Sequence, residues 1–187
     1  MKKYLLPSLK LTLVLIIICS VLYPLFIAAV SKLAPGGGKG ETLKVNGKVV
    51  GYANIGQKFT ADKYFWTRPS AVDYNAAGSA GSNMGPTNAE YLKQVQDRID
   101  TFLVHNPSVK KEDIPAELVT ASGSGLDPNV SPHGAYVQVA RIAKARNISS
   151  EKVKALVVQQ VQKPLLGLFG PEKVNILKLN IELDQLK

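Results

Sequence analysis

The sequence has few of the residues on which catalytic and metal sites are usually built. It contains one cysteine, Cys19, and two histidines, His105 and His133, among 187 residues. A single cysteine allows no internal disulfide, so the core must hold the fold together. Neither histidine has cysteine or carboxylate neighbours at the spacing of metal ligands, and neither lies in a recognisable catalytic motif. We therefore predict no metal site and no catalytic residues.

Two further absences exclude other functions. The chain has no Gly-x-x-x-x-Gly-Lys-Ser/Thr loop and no Asp-Lys-Thr-Gly phosphorylation sequence, so alone it is not predicted to transfer phosphoryl groups. Its formal net charge is +9, yet no run of lysine or arginine is longer than two residues. We therefore predict no nucleic-acid partner, whereas mild basicity suits anionic lipid headgroups.

Only one long hydrophobic run is present, and it dominates the chain. Residues 11–30 read LTLVLIIICSVLYPLFIAAV and carry no charge. As a helix this run would span about 30 Å, the hydrocarbon thickness of a bilayer, and membrane helices tolerate a proline such as Pro24. Ala29-Val30-Ser31 offers the alternative of a cleaved signal peptide, but the run exceeds a signal core. We predict an uncleaved transmembrane helix in the cell membrane.

The topology of this span is a separate question. Lys2, Lys3 and Lys10 precede the span closely, whereas the lysines after it are spread into the next domain, so counting lysines alone does not decide the orientation. Large domains translocate largely regardless of their charge. We predict a cytoplasmic N-terminus (1–10), a transmembrane helix (11–30), a Gly-rich linker (31–40) and an extracytoplasmic domain (41–187).

Turn and cap signals after the linker predict an α+β domain. Asn46-Gly47 lies between two β-rich runs and predicts a hairpin, because both residues accept positive φ. Thr87-Asn88-Ala89-Glu90 reads as a capping box with Thr87 as the N-cap. The helix that it opens should end at Asn106-Pro107. Ser131-Pro132 predicts a second helix, which runs to about Arg146.

A third helix and a closing strand complete the predicted domain. Ser149 or Ser150 should cap the helix, which stops at Pro164. From residue 177 to residue 184 the chain alternates apolar and polar side chains, which predicts a half-buried strand that joins the early hairpin. The expected fold is α+β: one transmembrane helix, then one soluble domain with a small antiparallel sheet and about three helices.

Two polar loops, 57–88 and 120–128, are the candidate functional segments, because long irregular loops in compact domains are often functional. Tyr64-Phe65-Trp66 in the first loop is expected to fill the core beneath it. Ser122-Gly123-Ser124-Gly125 in the second is either a phosphate cradle or a tight structural turn. The candidate residues for contact with a partner or ligand are Arg68, Ser82, Asn83, Thr87, Asn88, Ser122, Ser124 and Asp127.

Three motifs within these loops carry a resemblance to a known family. They are YFWTRPSA (64–71), GSNMGPTN (81–88) and TASGSGLDPNVSP (120–132), in that order behind one N-terminal span. The chain resembles the C chain of the Kdp-type potassium-transporting ATPase over nearly its whole length, including QVARIAKAR and VNILKLNIELD.

The resemblance implies a non-catalytic, accessory subunit of a potassium-uptake complex. Its partners would be the A chain, which carries the ion path, and the B chain, a P-type ATPase that hydrolyses ATP. The family description gives the C chain a role in assembly and as a catalytic chaperone that promotes ATP use. ATP and potassium would be used by the complex, and no cofactor is expected to bind this chain directly.

The predicted topology limits this role, because an extracytoplasmic domain cannot touch cytoplasmic ATP. It would act on ATP binding only through the complex. The alternative function, argued without the family, is a membrane-anchored extracytoplasmic ligand-binding module or hydrolase that uses the two Gly/Ser loops.

Overall fold

The computed structural model describes residues 2–186, and the chain divides into two compact units at a boundary between Thr42 and Leu43. The first unit contains helix α1 (Lys2–Ile17), a π-helical turn (Ile18–Leu22) and helix α2 (Tyr23–Ser31). Together they provide one helix, Lys3–Ser31, that is long and apolar enough to cross a membrane, and an 18-residue stretch of it has a mean hydropathy of 2.8. The helix therefore begins earlier than the predicted span.

Pro24 accounts for the π-helical turn. A proline inside a helix has no N–H to donate, and its ring clashes with the carbonyl four residues earlier. The turn just before Pro24 is widened, so that the Tyr23 N–H donates to the Ile18 carbonyl five residues back. Such single-turn π-bulges relieve local crowding without ending the helix.

The second unit is an α+β domain, as predicted, with two small sheets. Its elements are β1 (Thr42–Val45), β2 (Lys48–Tyr52), α3 (Ala89–His105), β3 (Asn129–Val130), α4 (Pro132–Tyr136), α5 (Val139–Arg146), α6 (Ser150–Gln160), β4 (Val161–Gln162), β5 (Lys173–Asn175) and α7 (Ile176–Gln185). The hairpin β1–β2 turns at Asn46 and Gly47, both at positive φ, which confirms that prediction. The other sheet is antiparallel in the order β3-β5-β4, with Val174 opposite both Val130 and Val161.

The predicted closing strand is wrong, because residues 176–185 form helix α7. The segment also contains a helical spacing, in Ile176, Leu179 and Leu183, and Asn175 caps the helix by accepting the Lys178 N–H at 3.0 Å. The strand that does form, β5, ends at Asn175 and pairs with β3 and β4 instead of the hairpin. The α7 residues that the core buries are Ile176, Leu177, Leu179, Asn180 and Leu183.

Three helix boundaries also differ from the predictions. The N-cap of α3 is Asn88, whose side chain accepts the Tyr91 N–H, and not Thr87. The helix that Ser131 caps, as predicted, ends at Tyr136, and α5 follows as a separate helix. The break arises because the side-chain amide of Gln138 donates to the Gly134 carbonyl, which leaves the Gln138 backbone N–H bonded to Ala135. Ser149 caps α6, also as predicted, but the helix ends at Gln160 and gives way to β4, before the predicted stop at Pro164.

The core of the domain lies between α4–α7, the three-stranded sheet and the aromatic segment of the first loop. Phe65 is fully buried in it, which confirms that this part of the loop fills the core. Its fully or almost fully buried neighbours in the same cluster include Phe102, Val130, Ile142, Val153, Val157, Val174, Ile176, Leu179 and Leu183. A loop residue is therefore among the largest side chains of the core.

We expect Phe65→Ala to lower the free energy of unfolding by about 3–5 kcal/mol, since it removes a large buried side chain and leaves a cavity. Chemical denaturation of the detergent-solubilised chain measures this. The matched control is Val104→Ala on α3, a 78% exposed side chain, which should change stability by no more than about 0.5 kcal/mol. Equal effects of the two substitutions would contradict the assignment of the aromatic segment to the core.

Candidate functional site

The aromatic segment, residues 63–68, passes through the domain without a neighbouring strand. Side chains take the place of that strand. Asn180 of α7 binds both backbone groups of Phe65, accepting its N–H at 2.9 Å and donating to its carbonyl at 3.0 Å. Gln138 binds the Trp66 backbone in the same way, at 2.7 and 3.3 Å. Buried backbone groups require such partners, since an unpaired one is costly.

Arg141 of α5 lies at the centre of this arrangement and is only 6% exposed. Its guanidinium donates to the carbonyls of Asp62 and Tyr64 at 2.8 and 3.0 Å, and to Gln138 Oε1 at 2.7 Å and Asn106 Oδ1 at 3.1 Å. Burial lowers its pKa to about 10, so the group is still charged at neutral pH.

Two aromatic contacts complete the surroundings of Arg141. The guanidinium lies over the Trp66 ring, 4.3 Å from its centroid, in cation–π geometry. The edge of the His105 ring packs against the same indole at 4.9 Å, and His105 Nδ1 lies 2.7 Å from Asp62 Oδ1. Two clefts border this group of side chains. One, of about 460 Å³, lies beside Trp66, and the other, of about 530 Å³, lies beside Arg141.

The two polar loops that the sequence singles out lie against each other. Ser79 Oγ donates to the Ser124 carbonyl at 2.9 Å, and the Ser122 N–H donates to the Pro69 carbonyl at 3.2 Å. Gly125 has φ +66°, and a Cβ there would lie 2.7 Å from the Ala80 carbonyl oxygen. Only glycine fits both the backbone angle and this close approach. The loops therefore form one packed surface, which we call the loop cluster (residues 69–83 and 120–127).

An ion pair joins the two halves of the loop cluster at its base. Arg68 donates to Asp127 Oδ2 at 2.9 Å, and both side chains are about three-quarters buried. Asp127 Oδ1 also accepts the Asn129 N–H at 3.0 Å, while the Tyr74 hydroxyl donates to the Arg68 carbonyl at 2.6 Å. The guanidinium of Arg68, which the sequence offered as a candidate for contact with a partner or ligand, forms this ion pair within the domain.

The other predicted site residues occupy different positions. Ser122 is buried, while Ser124 is exposed and accepts the Leu126 N–H. Asn88 is the cap of α3. Ser82 follows Gly81, which lies against Gly123 in the loop cluster, and Asn83 and Thr87 are exposed. The N–H groups of residues 122, 125 and 126 all donate within the domain, which favours a structural turn over a phosphate cradle.

The buried polar residues are what sequence reasoning missed. Gln138, Arg141 and Asn180 were assigned no role, although Arg141 and Asn180 lie on the buried faces of α5 and α7 and Gln138 is the buried residue just before α5. That position was the available signal, because a polar side chain on a buried face needs a hydrogen-bond partner. Across residues 2–186, no three His, Cys, Asp or Glu side chains come close enough to hold a metal ion.

These features define a class: a membrane-associated protein with one N-terminal apolar helix and a compact α+β domain, whose polar side chains are largely engaged in holding its own loops.

Comparison with known sequences gives the family. The family described as "KdpC: K+-transporting ATPase, c chain" matches residues 5–185. Relatives named "Potassium-transporting ATPase KdpC subunit" include one from Flavobacterium johnsoniae, 60% identical over 99% of this chain and 100% of its own length. Another from Bacteroides fragilis is 55% identical over 99% and 98%, and one from Caldanaerobacter subterraneus is 45% identical over 94% and 92%. The chain belongs to the KdpC family, which confirms the resemblance and makes it an accessory, non-catalytic subunit of a potassium-transporting ATPase.

We expect Arg141→Met to lower the free energy of unfolding by at least about 2 kcal/mol, because it leaves several buried acceptors without a charged donor. Thermal or chemical denaturation in detergent measures the change. Lys144→Met, an exposed cation on the same helix, is the matched control and should be nearly silent. If both variants unfold like the unmodified chain, Arg141 does not hold the aromatic segment.

Proposed function

We propose that this chain holds the ion-path A subunit and the ATP-hydrolysing B subunit of the potassium-transporting ATPase together. Residues 1–10 would be cytoplasmic, 11–30 would cross the membrane, 31–40 would form the linker and 41–187 would lie outside. The observation that carries the proposal is the full-length family match, which covers the apolar helix and the domain together. A subunit that combines an apolar helix with a folded domain is suited to contact its partners both within the membrane and beside it.

The internal bonding of the domain supports scaffolding over catalysis. The carboxylate of Asp127 is bound to Arg68, and Asp62 to His105. Neither Ser122 nor Ser124 is hydrogen-bonded to either histidine in the part of the chain that the structure describes. A nucleophile without an adjacent base is weak. The exposed outer edge of the loop cluster, which includes Asn83, Gly123 and Ser124, is the surface that we assign to a partner subunit.

The role in ATP use follows from the same topology. With the domain outside, any promotion of ATP binding passes through the other subunits. The chain then acts as a catalytic chaperone by stabilising the assembled state that binds ATP, with no nucleotide contact of its own.

A second candidate function is an anchored ligand-binding module. The cleft of about 460 Å³ favours it, since its volume lies within the range of small-molecule sites. Aromatic side chains and Ser70 and Asp73 from the first loop line this cleft. Such a module would function in isolation, whereas a scaffold is recovered with large membrane partners.

We expect protease added to intact spheroplasts to digest the domain, because the compact N-terminal lysines favour a cytoplasmic N-terminus. Immunoblotting with an antibody to the C-terminal region follows the digestion, and a cytoplasmic protein serves as the control for lysis. Digestion only after membrane lysis would place the domain inside and would allow direct contact with ATP.

We expect Asp127→Asn to weaken co-purification with the other subunits about fivefold, because it removes a largely buried ion pair worth ~1 kcal/mol. Asp73→Asn is the matched control, since Asp73 pairs with Lys58 at the exposed surface. Both complexes, once assembled, should retain their potassium affinity at low and high salt. A fully assembled Asp127→Asn complex with severalfold weaker, salt-sensitive potassium affinity would instead show that the domain steers the ion.

A further inference from the structure

Between β4 and β5 the chain forms a small turn whose tip is entirely apolar. Leu165 and Phe169 face each other across the turn and exchange two backbone hydrogen bonds, at 3.1 and 3.0 Å. The four large side chains of the turn are 64–81% exposed; we call them the apolar tip (Leu165, Leu166, Leu168 and Phe169). Contiguous exposed apolar surface of this kind marks a binding site.

The backbone of the tip is suited to leaving water. The N–H groups of Leu165, Gly167, Leu168 and Phe169 all donate to carbonyls within the turn, of Phe169, Pro164 and Leu165. Unpaired backbone groups are what make entry into an apolar medium costly. The turn satisfies these donors itself, so burying the tip costs little in lost hydrogen bonds.

We propose that the apolar tip inserts into the interfacial region of the lipid bilayer and gives the domain a second membrane contact. The first argument is that a short covalent linker joins the domain to the apolar helix. The segment 32–41, between α2 and β1, has ten residues, which span at most about 36 Å when extended. A domain tethered by so short a segment presents its surface, the tip included, to the membrane at high effective concentration. The inference requires neither a particular orientation nor the partner subunits.

The composition of the tip and its flanks provides the second argument. Lys163 and Lys173 stand on either side of the tip, and both are exposed. Lysines next to an apolar segment pair with anionic headgroups while the apolar side chains enter the acyl boundary. A site for a protein partner would instead be enriched in tryptophan, tyrosine and arginine, and leucine is under-represented among such hot spots. Three of the four tip residues are leucine.

The test uses the full chain reconstituted in vesicles of phosphatidylcholine and phosphatidylglycerol whose acyl chains carry bromine, which quenches indole fluorescence on contact. Leu168→Trp reports on the tip, and Val104→Trp is the matched control on an exposed apolar position of α3. Trp66, the single native tryptophan, gives the same background in both. We expect strong quenching of the Leu168→Trp variant and little of the control.

A second arm tests the flanking charges. Lys163→Gln and Lys173→Gln, placed in the Leu168→Trp background, should each lower the ratio of inserted to free tip about fivefold, since ~1 kcal/mol per lysine is expected near an anionic surface. The same loss in pure phosphatidylcholine would contradict pairing with anionic headgroups. Equal quenching of the two tryptophan variants would overturn the proposal. A different result would also overturn it: the indole of Leu168→Trp is not quenched by the brominated lipid, and it becomes shielded only when the other subunits bind. Shielding only when a second copy of this chain binds would overturn it in the same way.

Discussion

The domain depends on one charged side chain buried among backbone carbonyls. The aromatic segment has no strand beside it, so its backbone polar groups must be satisfied by side chains. Arg141 can bind several acceptors at once because its guanidinium has five donors in a fixed plane. Gln138 and Asn180 supply the amide groups that complete the arrangement. A buried cation is costly unless it is fully hydrogen-bonded. We therefore expect Arg141 and the aromatic segment that it binds to become ordered together during folding.

This constraint extends to the surface of the domain. Fixing Phe65 and Trp66 fixes the position of Arg68, which follows two residues later and binds Asp127 in the second polar loop. The loop cluster is therefore positioned by the core, although it has no regular secondary structure. A rigid surface of this kind binds a partner without first losing conformational freedom, which suits a subunit that joins two others.

Local signals in the sequence were sufficient where local physics decides the structure. The apolar helix, the Asn46-Gly47 turn and the caps at Ser131 and Ser149 depend on neighbouring residues only, and all were predicted. The prediction for the segment that became α7 failed because this segment contains both an alternation of apolar and polar residues and a helical spacing in Ile176, Leu179 and Leu183, and packing made the choice. Buried Arg141 could not be foreseen from composition, since arginine is usually exposed, and its acceptors lie up to 79 residues away.

The charges of the domain bear on whether it could concentrate potassium. A protein that attracts cations is expected to present a cleft lined by negative charge, here carboxylates without a cationic partner. Here Asp127 is neutralised by Arg68, and Asp73, which lines the cleft beside Trp66, is neutralised by Lys58 at 2.6 Å. Lysines and arginines outnumber aspartates and glutamates across the chain, and exposed charges are screened within about 8 Å at physiological salt. The carboxylates at these two places therefore hold the loops in position, and the electrostatics of the domain agree with a scaffold more than with an ion funnel.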